Sequence, residues 1–315
     1  MQSLLNKNSI ILLLIGVSSL IVFGYFISRD NELGLFSVYG VLIGMFLYAY
    51  PFWDIKNKIN LKFKQIIFLA IVFRLVLLFM TPNLSDDYYR FIWDGNIISS
   101  GNNPYEFTPN NQEFNSIKDK ITLKDRTFVG NEAFPDGMNS KNYYSVYPPV
   151  NQVIFGVSSF FAGNDNWSNI LFLRIIIIAF DLGVIIQLTS LLKWFSKKKE
   201  LIIIYALNPL VITELTGNLH FEGVTIFFVL AAILLILKHK YLQSGLIYSL
   251  AIGTKLIPLI LLPVFLFKLN WKRLIIFYTR WFYVEHLKTG LACASQIHAA
   301  FLNSGKWLNS VSRRV

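Results

Sequence analysis

Apolar runs long enough to prefer lipid over water recur through the first 270 positions of this 315-residue chain. They cover 10–27, 33–53, 65–80, 150–162, 170–192, 201–215, 221–237 and 242–267. Inside a bilayer every backbone N–H and C=O must find an internal partner, so a segment of this kind becomes a helix. The runs therefore predict an all-α integral membrane protein, a polytopic helical bundle. Composition agrees: charged residues are 15% of the chain, where a soluble domain carries about 25%. Hydrophobic residues at 54% exclude a disordered chain. The first run is long and ends in no small-residue cleavage site, so it reads as an uncleaved span rather than a signal peptide.

Net charge is +11. The bases sit in short clusters between apolar runs, which excludes nucleic acid as a partner and points to the lipid bilayer with its anionic leaflet. Residues 54–65, 193–200 and 268–273 each sum to +3, whereas 81–146 holds nine acids and six bases. The positive-inside rule then puts the basic clusters in the cytoplasm and the 81–146 loop outside a cytoplasmic (inner) membrane crossed several times. Parity conflicts with this at one place. Either 150–162, only 13 residues, is re-entrant or interfacial, or one basic cluster breaks the rule. A single cysteine, Cys293, excludes an intrachain disulfide.

Two runs contain a cation. Arg74 lies within 65–80 and Lys255 within 242–267. Each needs protein, water or an anionic group beside it. The second of these runs is interrupted by Gly253-Thr254-Lys255 and by Pro258 and Pro263, which break or bend a helix.

The 81–146 loop is too long for an idle connection. It opens with Ser85-Asp86-Asp87-Tyr88-Tyr89-Arg90-Phe91-Ile92-Trp93-Asp94-Gly95. Asp87, Arg90 and Asp94 share one face of a helix. Asp86 and Arg90 have ion-pair spacing. Phe91 and Trp93 read as interface anchors. Further on, Asn103-Pro104-Tyr105 is turn chemistry, and Tyr147-Pro148-Pro149 leads into the next run as proline does at a helix start. The chain divides into N-terminal spans 1–80, a loop region 81–149, a helical bundle 150–277 and a basic tail 278–315.

The segments SDDYYRFIWDGNIISSGNNPYEFTP, YPPVNQ, NPLVITELTGNLHFEG and GTKLIPLILLP, in that order, resemble the GT-C superfamily of integral-membrane glycosyltransferases. They are most similar to its bacterial mannosyltransferase-like branch, over roughly 60–270. The resemblance implies a GT-C-like bundle and hexosyl transfer, mannosyl above all, from polyprenyl monophosphate to a glycan or lipid acceptor at the extracytoplasmic face. It implies that Asp86 or Asp87 is the catalytic base, and that neither a metal nor another cofactor is needed.

The residue types fit that chemistry. An acceptor hydroxyl must lose a proton as it attacks, which a carboxylate within hydrogen-bond reach supplies. Asp86 and Asp87 point about 100° apart on a helix, so one faces the substrate. Asp87 shares a face with Arg90 and Asp94, which slightly favours it. A leaving phosphate needs positive charge, for which Arg90, Lys255 and Arg74 are the candidates. Candidate substrate contacts in the matching segments are Trp93, Asp94, Asn103, Tyr105, Tyr147, Gln152, Asn218, His220 and Glu222. The last three lie in a polar island with Glu214 whose spacing fits no zinc signature, so no metal site is expected.

After about 277 no run of 18 apolar residues remains, and the resemblance implies further spans there. A truncated, inactive remnant and a short divergent member both fit that tail. A transporter or flippase for a lipid-linked or sugar substrate is the alternative from a different class, because intramembrane cations and broken helices suit a substrate path.

Overall fold

A computed structural model describes residues 7–49, 61–82, 84–110, 138–163, 165–264 and 275. Phe52, Trp53, the 268–273 cluster and the 278–315 tail with Cys293 lie outside them. Every element among the described residues is helical, and the protein is an all-α membrane protein. Its helices are α1 (Lys7–Tyr25), α2 (Glu32–Ala49), α3 (Phe63–Val76), α4 (Asp87–Ser99), α5 (Pro149–Ala162), α6 (Asn166–Trp194), α7 (Lys199–Ala206), α8 (Pro209–Gly217), α9 (Glu222–Leu237) and α10 (Tyr241–Ile252). A short 3₁₀ turn, Ile257–Leu261, follows.

The helices α2 and α6 are long and apolar enough to cross a membrane, and the pair α7 and α8 makes a third candidate, bent by 55°. The bend has a local cause. Asn208 caps α8, accepting the Leu210 N–H at 3.0 Å, and Pro209 at the first position has no N–H to continue α7. Two apolar runs yield shorter helices than their length implies. Helix α3 ends at Val76, and its 14 residues rise only about 21 Å against a hydrocarbon core of roughly 30 Å. The run from 242 stops as a helix at Ile252, with Gly253 as its cap, where the glycine and the two prolines predict a break. Helix α5 has 14 residues and starts at Pro149.

The chain packs as two compact units. The first comprises 1–85 and 174–223, the second 86–173 and 224–315. In the first, α1, α2, α3 and α7 bury a continuous core around Phe23, Leu42, Phe73, Leu77 and Ala206. Two buried arginines sit inside it. Arg74 donates from Nε to Asp181 Oδ2 at 2.5 Å and from Nη1 to the Ala70 and Ala206 carbonyls, both at 2.9 Å. Asp181 also receives the Tyr205 hydroxyl at 2.7 Å. Arg174 donates to four carbonyls, those of Thr216, Gly217, Leu78 and Met80. Only a guanidinium has enough donors in a rigid fork for that task.

In the second unit α4 packs along α5. Gly95 makes the approach possible, because a Cβ there would run into the Phe155 carbonyl and the Ser159 hydroxyl. Helix α4 ends in a Schellman motif. Gly101 sits at φ 78°, its N–H donates to Ile98 O, and that of Asn102 to Ile97 O.

Candidate functional site

The acidic motif forms the start of α4. Asp86 is the N-cap residue and Asp87 the first helical residue, and negative charge is favoured at a helix N-terminus. Both carboxylates are partly exposed. One turn further on, the environment changes. Arg90 is 3% exposed and Asp94 fully buried.

Asp94 is the hub of a closed network. Its Oδ1 accepts Arg90 Nε at 2.7 Å. Its Oδ2 accepts Gln152 Nε2 at 2.7 Å and the Ser145 hydroxyl. Arg90 Nη1 donates to the Tyr143 carbonyl at 2.7 Å and to that of Ser140 at 3.3 Å. Arg90 Nη2 is buried without a hydrogen-bond partner. The pair therefore ties the returning segment 138–147 and the first turn of α5 to α4. Arg90 pairs toward the helix C-terminus, with Asp94, whereas the i, i+4 spacing equally predicts Asp86. The N-cap geometry of Asp86 is the reason, since it lies outside the regular turn.

Phe91 and Trp93 do not anchor an interface. Phe91 stacks on Phe155 at 4.6 Å, and Trp93, 1% exposed, packs with Ile97, Phe107 and Met138 under the Arg90 guanidinium. Phe91 is drawn inward where α4 meets α5, whereas Trp93, about 200° round the helix, is covered by Phe107 and Met138.

Tyr147 joins the motifs. Its phenol lies beside the Asp87 carboxylate, and its ring packs edge-on against Phe91 and Phe155. Its carbonyl accepts the Tyr105 hydroxyl at 2.6 Å. Burial, and then the negative charges of Asp87 and Asp94, hold the phenol well above the usual tyrosine range. It therefore stays a neutral donor. Asn103 shapes the turn before Tyr105, accepting the Tyr105 N–H at 3.2 Å and donating to Glu106 at 3.0 Å.

The Gly253-Thr254-Lys255 break docks on α5. Val150 N–H donates to the Gly253 carbonyl at 2.9 Å, and Asn151 Nδ2 to that of Thr254 at 3.0 Å. Three of the four motif segments thus meet in the second unit: the acidic stretch, Tyr147–Gln152 and the Lys255 break.

Arg74, Asn218 and His220 belong to the first unit, and Glu222 opens α9 at its edge. Arg74 is committed to Asp181, as described above. Asn218 is buried, accepts the Leu84 N–H at 3.2 Å and donates to Glu214 at 3.3 Å. His220 Nδ1 lies 3.3 Å from Glu214 Oε2. No group of three or more metal-ligating side chains occurs among the described residues.

Sequence reasoning overlooked Arg174, Asp181, Ser145 and Tyr39. The first two carried a usable signal, as two charged residues inside the one apolar run 170–192. Ser145 and Tyr39 carried none, because their roles come from partners distant in sequence.

No curated protein and no solved structure matches the chain. A family model described as alpha-(1->6)-mannopyranosyltransferase, N-terminal domain, matches residues 16–270. That span takes in every motif described above, and the chain belongs to this mannosyltransferase family, MptA/B.

Proposed function

We propose that the protein transfers mannose from a polyprenyl monophosphate carrier to an acceptor hydroxyl at the extracytoplasmic face, with Asp87 as general base and Asp86 beside it. The observation that carries this reading is the division among three neighbouring carboxylates. Asp94 is sealed and fully engaged, while Asp86 and Asp87 stay partly exposed at the helix start, with Asp87 beside a neutral phenol. A framework acid and a reactive acid are thereby separated within two turns.

In the reaction the acceptor oxygen attacks the anomeric carbon from the face opposite the phosphate. The new C–O bond forms as the bond to the phosphate oxygen breaks, and its electron pair leaves with the phosphate. The acceptor proton passes to the carboxylate, and the configuration inverts. General-base assistance of this kind contributes roughly 10²–10⁴-fold. The departing phosphate needs donors. Lys255, partly exposed and carried on a segment pinned to the first turn of α5, is the donor this reading favours, because Arg90 is buried in the Asp94 network. Arg74 drops out of this set in our reading, because its charge is matched by Asp181. Trp93, Asp94 and Gln152 act by building the frame; Tyr105 and Tyr147 hold its outer edge. The family description makes an α-1,6-linked mannan the acceptor to test.

The test uses the full chain in lipid nanodiscs with polyprenyl-phosphate mannose and α-1,6-mannotriose. Wild type should extend the trisaccharide, and Asp86→Asn with Asp87→Asn should lower the rate at least about 100-fold. Undiminished transfer by the double variant would remove the proposed base.

A further inference from the structure

A second polar site stands in the first unit, where α8 winds into a π-helical turn, Ile212–Gly217. Turns of this type are rare and gather at functional places. Its Glu214 is held on both oxygens. Tyr39, from α2, donates to Oε1 at 3.2 Å, and Asn218 Nδ2 donates to Oε2 at 3.3 Å. Tyr39 also touches the Thr213 hydroxyl at 3.1 Å. Facing Oε2 at 3.3 Å is His220 Nδ1.

The backbone is strained to put it there. Leu219, directly before His220, has φ 60° with its side chain fully buried. Left-handed backbone is costly for a leucine and persists where the surroundings over-determine it. Asn218 supplies part of that constraint, since its Oδ1 accepts the Leu84 N–H while its Nδ2 holds Glu214.

A carboxylate accepts hydrogen bonds and donates none, so any proton shared in the 3.3 Å His220–Glu214 contact is carried by Nδ1. In the Nδ1–H tautomer of the imidazole, Nε2 on the other side of the ring is a hydrogen-bond acceptor. Both side chains stay open, His220 at 31% and Glu214 at 36%, so a ligand can reach them. An oriented acceptor of this kind suits an alcohol O–H.

We propose that His220, oriented by Glu214 and braced by Tyr39 and Asn218, is a carbohydrate-binding residue whose Nε2 accepts a hydrogen bond from a hydroxyl of the mannan acceptor. The acceptor's identity rests on the mannosyl-transfer reading. The dyad binds the acceptor and takes no part in proton transfer. Tyr39 and Asn218 are positioning residues.

The test is calorimetric titration of α-1,6-mannotriose into the purified full chain in detergent, beside the transfer assay. His220→Ala should weaken binding about tenfold, the worth of one well-placed hydrogen bond. His220→Gln, whose amide reaches the place of Nε2, should recover most of the loss, as a merely structural histidine would not. Tyr39→Phe should weaken binding less than His220→Ala. Wild-type affinity in His220→Ala, failure of His220→Gln to recover binding, or no binding by wild type overturns the assignment. The two readings fail separately. Trisaccharide binding through His220 without any transfer would count against the enzyme alone. Normal transfer by His220→Ala with an unchanged acceptor KM would count against the dyad alone.

Discussion

Arg90 and Asp94 stand one helical turn apart on α4 and meet at 2.7 Å with neither side chain reaching solvent. The contact holds more than the helix. Through Ser145, Gln152 and the Tyr143 carbonyl it fixes the segment returning from the loop and the start of α5.

Removing one member of a buried pair strands the other charge, which costs about 3–5 kcal/mol. Asp94→Ala should therefore lower the thermal midpoint of the detergent-solubilised protein sharply, and transfer activity should fall with it. A midpoint within a degree of wild type would show that the pair is not what holds these segments.

Gly95→Ala tests the helix contact without touching a charge. A Cβ at this position would lie 2.8 Å from the Phe155 carbonyl carbon. Backbone cannot step aside as a flexible side chain does, so α4 and α5 must separate. We expect a loss of about 1–3 kcal/mol, the range for overpacking a close-fitted site. Gln152 should also lose its hold on Asp94. Thermal melting together with the transfer assay reads both effects.

Tyr147 makes stability sensitive to high pH. Its phenol is raised above the ordinary 10.0, chiefly by burial and then by the charge of Asp87. A folded-state pKa above the unfolded one stabilises the fold fully below pH 10 and is lost as pH climbs past it. The contribution falls by at most about 1.4 kcal/mol per pH unit. Tyr147→Phe keeps the ring contacts and removes the ionisation. Between pH 10 and 11 the variant should lose less stability than wild type in parallel melts. Equal losses would place the sensitivity elsewhere.

The Arg74–Asp181 pair offers a double-mutant cycle. Arg74→Met or Asp181→Leu should each be strongly destabilising, whereas both together should recover much of the loss, because an apolar pair strands no charge. Additive effects would mean that the two side chains do not act as a unit.

Several features were legible from local sequence. An apolar run reports on its own solvent, so the helical membrane class followed from hydropathy. Pro149 and Gly253 marked helix boundaries through their own backbone chemistry, whereas 201–215 reads as one run in the sequence and breaks at Asn208-Pro209. Arg74 announced that it needed a partner, because a charge in an apolar run is unstable unmatched. The motif order pointed to the family. What the sequence left open was which residue answers which. Asp181 lies 107 positions from Arg74, and Ser145 51 positions from Asp94. Asp94 and Asp87 look alike in the sequence, yet one is sealed as framework and the other left partly exposed. That difference arises where α4 packs on α5. Burial and hydrogen-bond partners are properties of the packed chain, and residue spacing encodes only which groups share a helix face.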